Sequence, residues 1–248
     1  MRFGADIIHL DQVESTNDYL EEIVKSGSAN EGVLYIARTQ TKGRGQADNS
    51  WESEPGQNLT FSFVVYPGFL SAAQQFAFNK TIALAVRDFV KELVPVRVTV
   101  KWPNDIYAGN GKIAGMLFLN NVQGNRIHSI ITGIGLNVNQ EVFRSDAPNP
   151  VSLKNITGKS YDLDELANKL CTFLDFRYQQ LLTESFDLID RDYLGALYRL
   201  GEWKPYSYFG KSITAKISGV SDFGRLELVT ESGDPISCDI KDIIFLPG

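Results

Sequence analysis

The chain has 248 residues, 43% of them hydrophobic and 22% charged, which suits an ordinary globular protein built as one large domain or a domain with an appendage. A formal net charge of −6 argues against a nucleic-acid binder working by bulk attraction to phosphates. Cys171 and Cys238 lie far apart in the sequence and read as neither a disulfide framework nor a metal-ligand pair, and no run is long and apolar enough to span a membrane. The expectation is a cytoplasmic protein without a targeting signal, and without DNA or a membrane among its partners.

In chain order, a short strand is expected around Ile7–Leu10. In "ESTNDYLEEIVKSG", Ser15 or Thr16 can cap a helix that stops at Gly27. "GVLYIARTQ" (32–40) and "NLTFSFVVY" (58–66) read as strands, separated by the long polar loop "TKGRGQADNSWESEPGQ". Residues 71–93 carry helical periodicity. Strands are expected at 96–101, 113–119 and 127–138, and helices at about 162–183 and 186–200. From Trp203 the texture changes to about four short strands broken by "SDFG" and "ESGD", with no helix. That pattern reads as a small antiparallel barrel over 201–248, following a larger domain over 1–200. Several strands of the larger part are joined by loops too short for a crossover helix. An α+β fold with a mixed, largely antiparallel sheet is therefore expected.

The chemistry-bearing stretch is "KWPNDIYAGNGKIAG" (101–115). Gly109, Gly111 and Ala114 fit a dinucleotide-binding spacing, but they lead into a strand-like run, and no Asp or Glu occurs from Ile106 to Gln140. A phosphate-binding Walker loop fails as well, because Ile113 follows Lys112. A second acid-free stretch, Gly32 to Ala47, contains Arg38, Lys42 and Arg44. Either stretch alone reads as a solvated loop. Both facing one cleft would bind a phosphate or a carboxylate.

"KWPND" is an ordinary turn sequence in which Trp102 can be simple core, or a rigid element that sets Lys101 and Asp105 at a fixed distance. The glycines of "GIGLNVN" (133–139) mark either a ligand lying against the strand or tight packing. His9 and His128 read as packed or solvated, Cys171 and Cys238 as inert thiols, and Phe76, Phe78, Phe173 and Phe176 as core.

Taken in order, "STN" (15–17), "QTKGRGQ" (40–46), Trp51, "KWPNDIY" (101–107), "GKIAG" (111–115) and "GIGLNVN" (133–139) resemble the biotin protein ligases over nearly the whole chain. The resemblance implies a class II synthetase-like biotin–lipoate ligase catalytic domain with an SH3-like C-terminal barrel. Only fourteen residues precede Ser15, which resembles the short class that lacks an N-terminal DNA-binding domain.

It further implies two half-reactions. Biotin and ATP give biotinyl-5′-AMP with the help of Mg²⁺; a lysine on a biotin carboxyl carrier domain of a biotin-dependent carboxylase then takes the biotinyl group. Arg44, Lys112 and Asp105 are the implied catalytic residues. Biotin is implied to contact Ser15, Thr16, Asn17, Gln40, Gly43, Arg44, Lys112, Gly115 and Gly133. The adenylate is implied to contact Arg44, Gly45, Gln46, Trp51, Asn104, Lys112 and Asn137. Asn104 and Asn137 are the residues placed nearest a metal, and no ligand set is defined.

Two departures stand out. Gln46-Ala47-Asp48-Asn49 replaces the further arginine and glycine common in the family, and residues 139–153 offer Phe143 but no tryptophan to stack on adenine. The family includes monomers and dimers, so a homodimer stays open, as does the identity of the carrier. Lipoate or octanoyl transfer on the same scaffold and a non-catalytic biotin-binding protein are the alternatives.

Overall fold

The computed structural model describes residues 2–46, 49–145 and 149–247. Its larger sheet has seven strands in the order β1-β2-β3-β7-β6-β5-β4. β1 (Ile7–Val13) runs parallel to β2 (Leu34–Gln40), and helix α1 (Thr16–Lys25) lies between them in sequence. Every other pairing in this sheet is antiparallel: β3 (Leu59–Val65) with β2 and β7, then β7 (Arg126–Leu136) with β6 (Gly111–Gln123), β5 (Asp105–Ala108) and β4 (Val98–Lys101) in turn. The mixed, largely antiparallel expectation therefore holds.

β3 is buried along its whole length, as its run of aromatic and β-branched residues dictates. α2 (Gln75–Leu93) packs on β4, β5 and β6, and α4 (Leu163–Leu182) and α5 (Phe186–Ala196) pack on α2. Arg177 of α4 ties this helical layer together by pairing with Asp88 of α2 and Asp192 of α5.

Four features differ from the expectation. β5 is an additional strand, whose four residues sit inside a hairpin too tight for alternation to register. The short helix α3 (Leu153–Thr157) is also additional, and is capped reciprocally by Ser152 and Asn155. The C-terminal sheet has five strands: β8 (Trp203–Tyr208), β9 (Lys211–Val220), β10 (Leu226–Thr230), β11 (Pro235–Cys238) and β12 (Ile243–Phe245), in the order β11-β10-β9-β8-β12. Finally, Phe76 and Phe78 are core and Phe173 packs against it, but Phe176 is 62% exposed, because it falls off the buried stripe Leu170, Leu174, Tyr178 and Leu181. His9 and His128 are exposed, and both cysteines are buried, with burial pushing the Cys171 thiol up to about 12 and the Cys238 thiol to about 11.

The two sheets meet at the β4–β5 hairpin. Trp102 Nε1 donates to the carbonyl of Gly224 at 2.8 Å, and the bare Cα of Gly224 lies against the Phe76 ring of α2.

Candidate active site

Strand register builds the floor of a cleft of about 780 Å³. Antiparallel pairing places Thr60 of β3 opposite Gly135, Gly135 opposite Gly115, Gly115 opposite Asp105, and Asp105 opposite Lys101. A row of small and polar residues thus crosses five strands, with Ser62 and Gly133 in the next row. Residues in one such row share a face, so the glycines leave a trough in which side chains from elsewhere can lie.

One end of the trough is a neutral polar nest. Ser15, Thr16 and Asn17 are all buried at the start of α1. The Thr16 amide donates to Gln40 Oε1 at 2.8 Å, and the Ser62 hydroxyl lies 2.7 Å from Thr16 Oγ1 and 2.6 Å from Asn17 Oδ1. The Asn17 amide fills the space over Gly133, where a β-carbon would stand 2.4 Å from its Oδ1. Sequence reasoning missed Ser62 and Thr60; the available signal was two polar residues alternating in the otherwise apolar "LTFSFVV".

The centre is built by the 41–51 loop. The Trp51 amide donates to the Gly43 carbonyl at 2.8 Å, and the Gly45 amide to Asn49 at 2.7 Å. These bonds lay the Trp51 indole over Gly135 and Gly115, where added β-carbons would come within 2.2 and 3.0 Å of the ring. The Lys112 ammonium sits 5.6 Å from the centre of that ring, and Trp51 Nε1 is buried without a partner among the described residues. Arg44, Gly45, Gln46 and Asn49 line the cleft, while Ala47 and Asp48 lie outside the described residues.

The acid-free stretches are not acid-free in space. Arg44 pairs with Asp18 of α1, Lys42 with Glu14 at 2.8 Å, and Lys112 with Asp105 at 2.8 Å. Folding brings these carboxylates in from outside each stretch, so the cations face internal anions that an incoming phosphate or carboxylate would displace.

Asn104 is locked to the backbone of β6, its amide donating to the Met116 carbonyl and its own carbonyl accepting from the Met116 amide at 2.9 Å. Asn137 does not reach the cleft wall. It is buried behind it, donating to the Val151 carbonyl at 3.1 Å and the Lys112 carbonyl at 3.4 Å, so it steadies the strand that carries Lys112. Phe143 is half-buried and does not line the cleft, although Ser145 nearby does. Burial alone would raise the Glu52 carboxyl, but hydrogen bonds from Ser145, Arg144 and Gln140 outweigh it and hold Glu52 below the usual range. That anchors residues 144 and 145 beside the loop.

The far end is closed by β12 of the smaller sheet, which contributes Ile243, Ile244 and Phe245, and by Ile240 in the turn before it. Lys101 faces them, donating to Tyr107 OH at 3.0 Å with its ammonium 5.1 Å from the centre of the Phe245 ring.

The model of the "Biotin/lipoate A/B protein ligase family" matches residues 10–137. Among similar proteins, the bifunctional ligase/repressor BirA of Bacillus subtilis is 28% identical over 236 residues, covering 93% of this chain and 71% of that protein. The biotin–[acetyl-CoA-carboxylase] ligase of Paracoccus denitrificans is 29% identical, covering 90% of each. Among solved structures, the biotin protein ligase of Aquifex aeolicus in complex with biotin and ATP aligns over 98% of this chain and 100% of its own, with a TM-score of 0.80 and 26% identity.

Proposed function

We infer that this chain, which belongs to the biotin/lipoate A/B protein ligase family, is a biotin protein ligase catalysing ATP-dependent biotinylation of protein. The observation that carries the residue assignment is the polarity of the cleft: a buried neutral nest at one end, and cations held by exchangeable carboxylates at its centre.

In this reading the ureido ring of biotin lies in the nest, within reach of Ser15, Thr16, Asn17 and Gln40, against Gly115 and Gly133. Its carboxylate then points toward Lys112 and Arg44. A carboxylate oxygen attacks the α-phosphorus of ATP, the bond from that phosphorus to the bridging oxygen breaks, and the electron pair leaves with pyrophosphate. Carboxylate and triphosphate repel each other, and Lys112 and Arg44 offset that repulsion where charge develops. Trp51 provides the apolar bed beside the reacting atoms, the 43–46 backbone approaches the phosphate, and Asn104 fixes the turn that presents Asp105.

In the second half-reaction the carrier lysine arrives as an ammonium, gives one proton to Asp105 and attacks the acyl carbon. The acyl–oxygen bond breaks with its electron pair going to AMP, and the second N–H proton leaves as the amide forms. Asp105 is the only carboxylate on the wall of the cleft among the described residues, and it is paired with Lys112, so the described residues offer no oxygen cage for a metal. Mg²⁺ accordingly enters on ATP as part of the substrate, where it neutralises phosphate charge.

The partner is a biotin carboxyl carrier domain of a biotin-dependent carboxylase, and the compartment the cytoplasm. We divide the chain into a catalytic domain, 1–200, and a smaller domain, 201–248, at the turn where Arg199 and Gly201 both take positive φ. The test is direct: incubate the chain with biotin, MgATP and a carrier domain, then weigh the carrier. One added biotinyl group that requires ATP supports the reading, and an unmodified carrier overturns it.

A further inference from the structure

Among the described residues three cations line the cleft, and the two assigned above already face carboxylates of the chain: Arg44 faces Asp18 and Lys112 faces Asp105. Lys101 is different. Among the described residues no carboxylate pairs with its ammonium; it donates to Tyr107 OH at 3.0 Å and lies 4.8 Å from the Tyr107 ring centre and 5.1 Å from that of Phe245. Two aromatic faces and one neutral acceptor compensate only part of a group that carries three donors and a full charge. Burial lowers its pKa, the charge of Asp105 works against that, and Lys112 and Arg199 add to it. A partly desolvated cation on the wall of a cleft, with no carboxylate paired to it among the described residues, gains from any anion that reaches it.

Its place in the sheet selects the anion. The row on the cleft floor runs from Thr60 beside the nest, through Gly135 and Gly115, to Asp105 and Lys101 at the far edge. With strands about 4.8 Å apart, Lys101 stands roughly 20 Å from the strand that carries Thr60. Phosphoryl transfer keeps the attacking and leaving oxygens roughly in line. A biotin carboxylate coming from the nest therefore expels its leaving group toward the opposite edge, where Lys101 is.

We propose that Lys101 is a catalytic residue of adenylation, holding the β- and γ-phosphates of ATP and stabilising the departing pyrophosphate. This rests on the ligase reading above. As the bond from the biotin carboxylate to the α-phosphorus forms and the bond to the β-phosphate oxygen breaks, the leaving pair of electrons develops as charge facing the Lys101 ammonium. Transfer to the carrier expels AMP, which lacks those phosphates, so Lys101 has no part in that step.

Biotin-dependent exchange of labelled pyrophosphate into ATP tests both layers separately. If the unmutated chain shows no exchange, the ligase reading fails. If it does, Lys101→Met should lower exchange roughly 10²-fold. It should also weaken inhibition by pyrophosphate about tenfold or more, as loss of a charged hydrogen bond requires. Lys101→Arg should restore much of both, while transfer from preformed biotinyl-AMP stays within about twofold in both variants. Adenylation and transfer falling together, or unchanged inhibition by pyrophosphate, would show that Lys101 only clasps Phe245, and the proposal would be overturned.

A second measurement avoids substitution. With biotin present, α,β-methylene-ATP should shield Lys101 of the unmutated chain from an amine-acylating reagent, and AMP should not. Equal labelling under the two nucleotides also overturns the proposal.

Discussion

The Lys112 ammonium stands 2.8 Å from the Asp105 carboxylate, with the two side chains only 21% and 19% exposed. Cross-strand register makes the contact possible, since Asp105 lies opposite Gly115 and the missing side chain there leaves room for both groups. In the proposed mechanism each group serves a different half-reaction, so the pair would hold each in reserve until its own partner arrives. An incoming phosphate or carboxylate would compete for Lys112, and in doing so would free Asp105 for the acceptor lysine.

Lys112→Ala should severely slow adenylate formation. Loss of one preorganised charge-stabilising group slows such a step about 10²–10³-fold. Because the change leaves Asp105 without its cation, Lys112→Ala/Asp105→Asn should be more stable to urea than Lys112→Ala alone, yet no more active. Pyrophosphate release measured beside urea unfolding checks both, and near-normal release by the single variant would remove Lys112 from the site.

The trough makes a steric prediction. A β-carbon at Gly135 would lie 2.2 Å from the Trp51 ring, against 3.0 Å at Gly115. Gly135→Ala should therefore displace Trp51 and destabilise the chain by about 1–3 kcal/mol, with a smaller loss for Gly115→Ala. Tryptophan fluorescence should shift on mutation at 135. An unshifted spectrum with full stability would show that the indole does not occupy that trough.

At the joint between the sheets, Gly224 has φ 82, and a β-carbon there would come 2.4 Å from the Phe76 ring. Gly224→Ala meets both backbone strain and overpacking, so a loss of about 2–4 kcal/mol is expected. The Trp102 bond to the Gly224 carbonyl should loosen with it, slowing catalysis without altering biotin affinity. Urea unfolding and titration with biotin read the two effects apart. Wild-type stability in this variant would mean the joint is not packed as described.

Glu52 sets a pH dependence. Its carboxyl is held below the usual carboxylate range, so it contributes stability that is present above the unfolded value and is lost as pH falls through the folded one. Thermal melting of Glu52→Gln should therefore fall less steeply than wild type on acidification below about pH 4.5. Parallel curves would deny Glu52 its anchoring role at residues 144 and 145.

Where local pattern coincided with architecture, the sequence was legible. β-branched runs marked β2 and β3, periodicity marked α2 and α4, and the change of texture after Leu200 marked the smaller sheet. The loop glycines and basic residues pointed to an anion site. What it hid was long-range pairing: nothing in "TKGRGQ" reveals that Asp18 neutralises Arg44, and nothing in "GIGLNVN" reveals that the occupants over Gly133 and Gly135 are the chain's own Asn17 and Trp51. The walls supplied by Ile243 and Phe245 were equally hidden, because a three-residue strand carries too little pattern to be placed.

Asp105→Asn separates the two half-reactions. A carboxylate beside a phosphate site opposes ATP binding; in the proposed mechanism two cations account for it, Lys112 at rest and the carrier lysine during transfer. Asn keeps the shape of the turn and a carbonyl that can accept from Lys112, but it takes no proton. The acceptor ammonium has an ordinary pKa of about 10.4 and cannot attack until it is deprotonated. The variant should therefore still form biotinyl-AMP, and at low salt should do so at least as fast, since a competing anion is gone. Transfer to the carrier should slow about 10²–10⁴-fold, the range for loss of a positioned base, and recover partly as pH rises toward the lysine's own pKa. Single-turnover measurement of each step decides the matter. If adenylation collapses while transfer from preformed biotinyl-AMP is untouched, Asp105 serves Lys112 alone, and the base for the acceptor lysine must be sought elsewhere in the cleft.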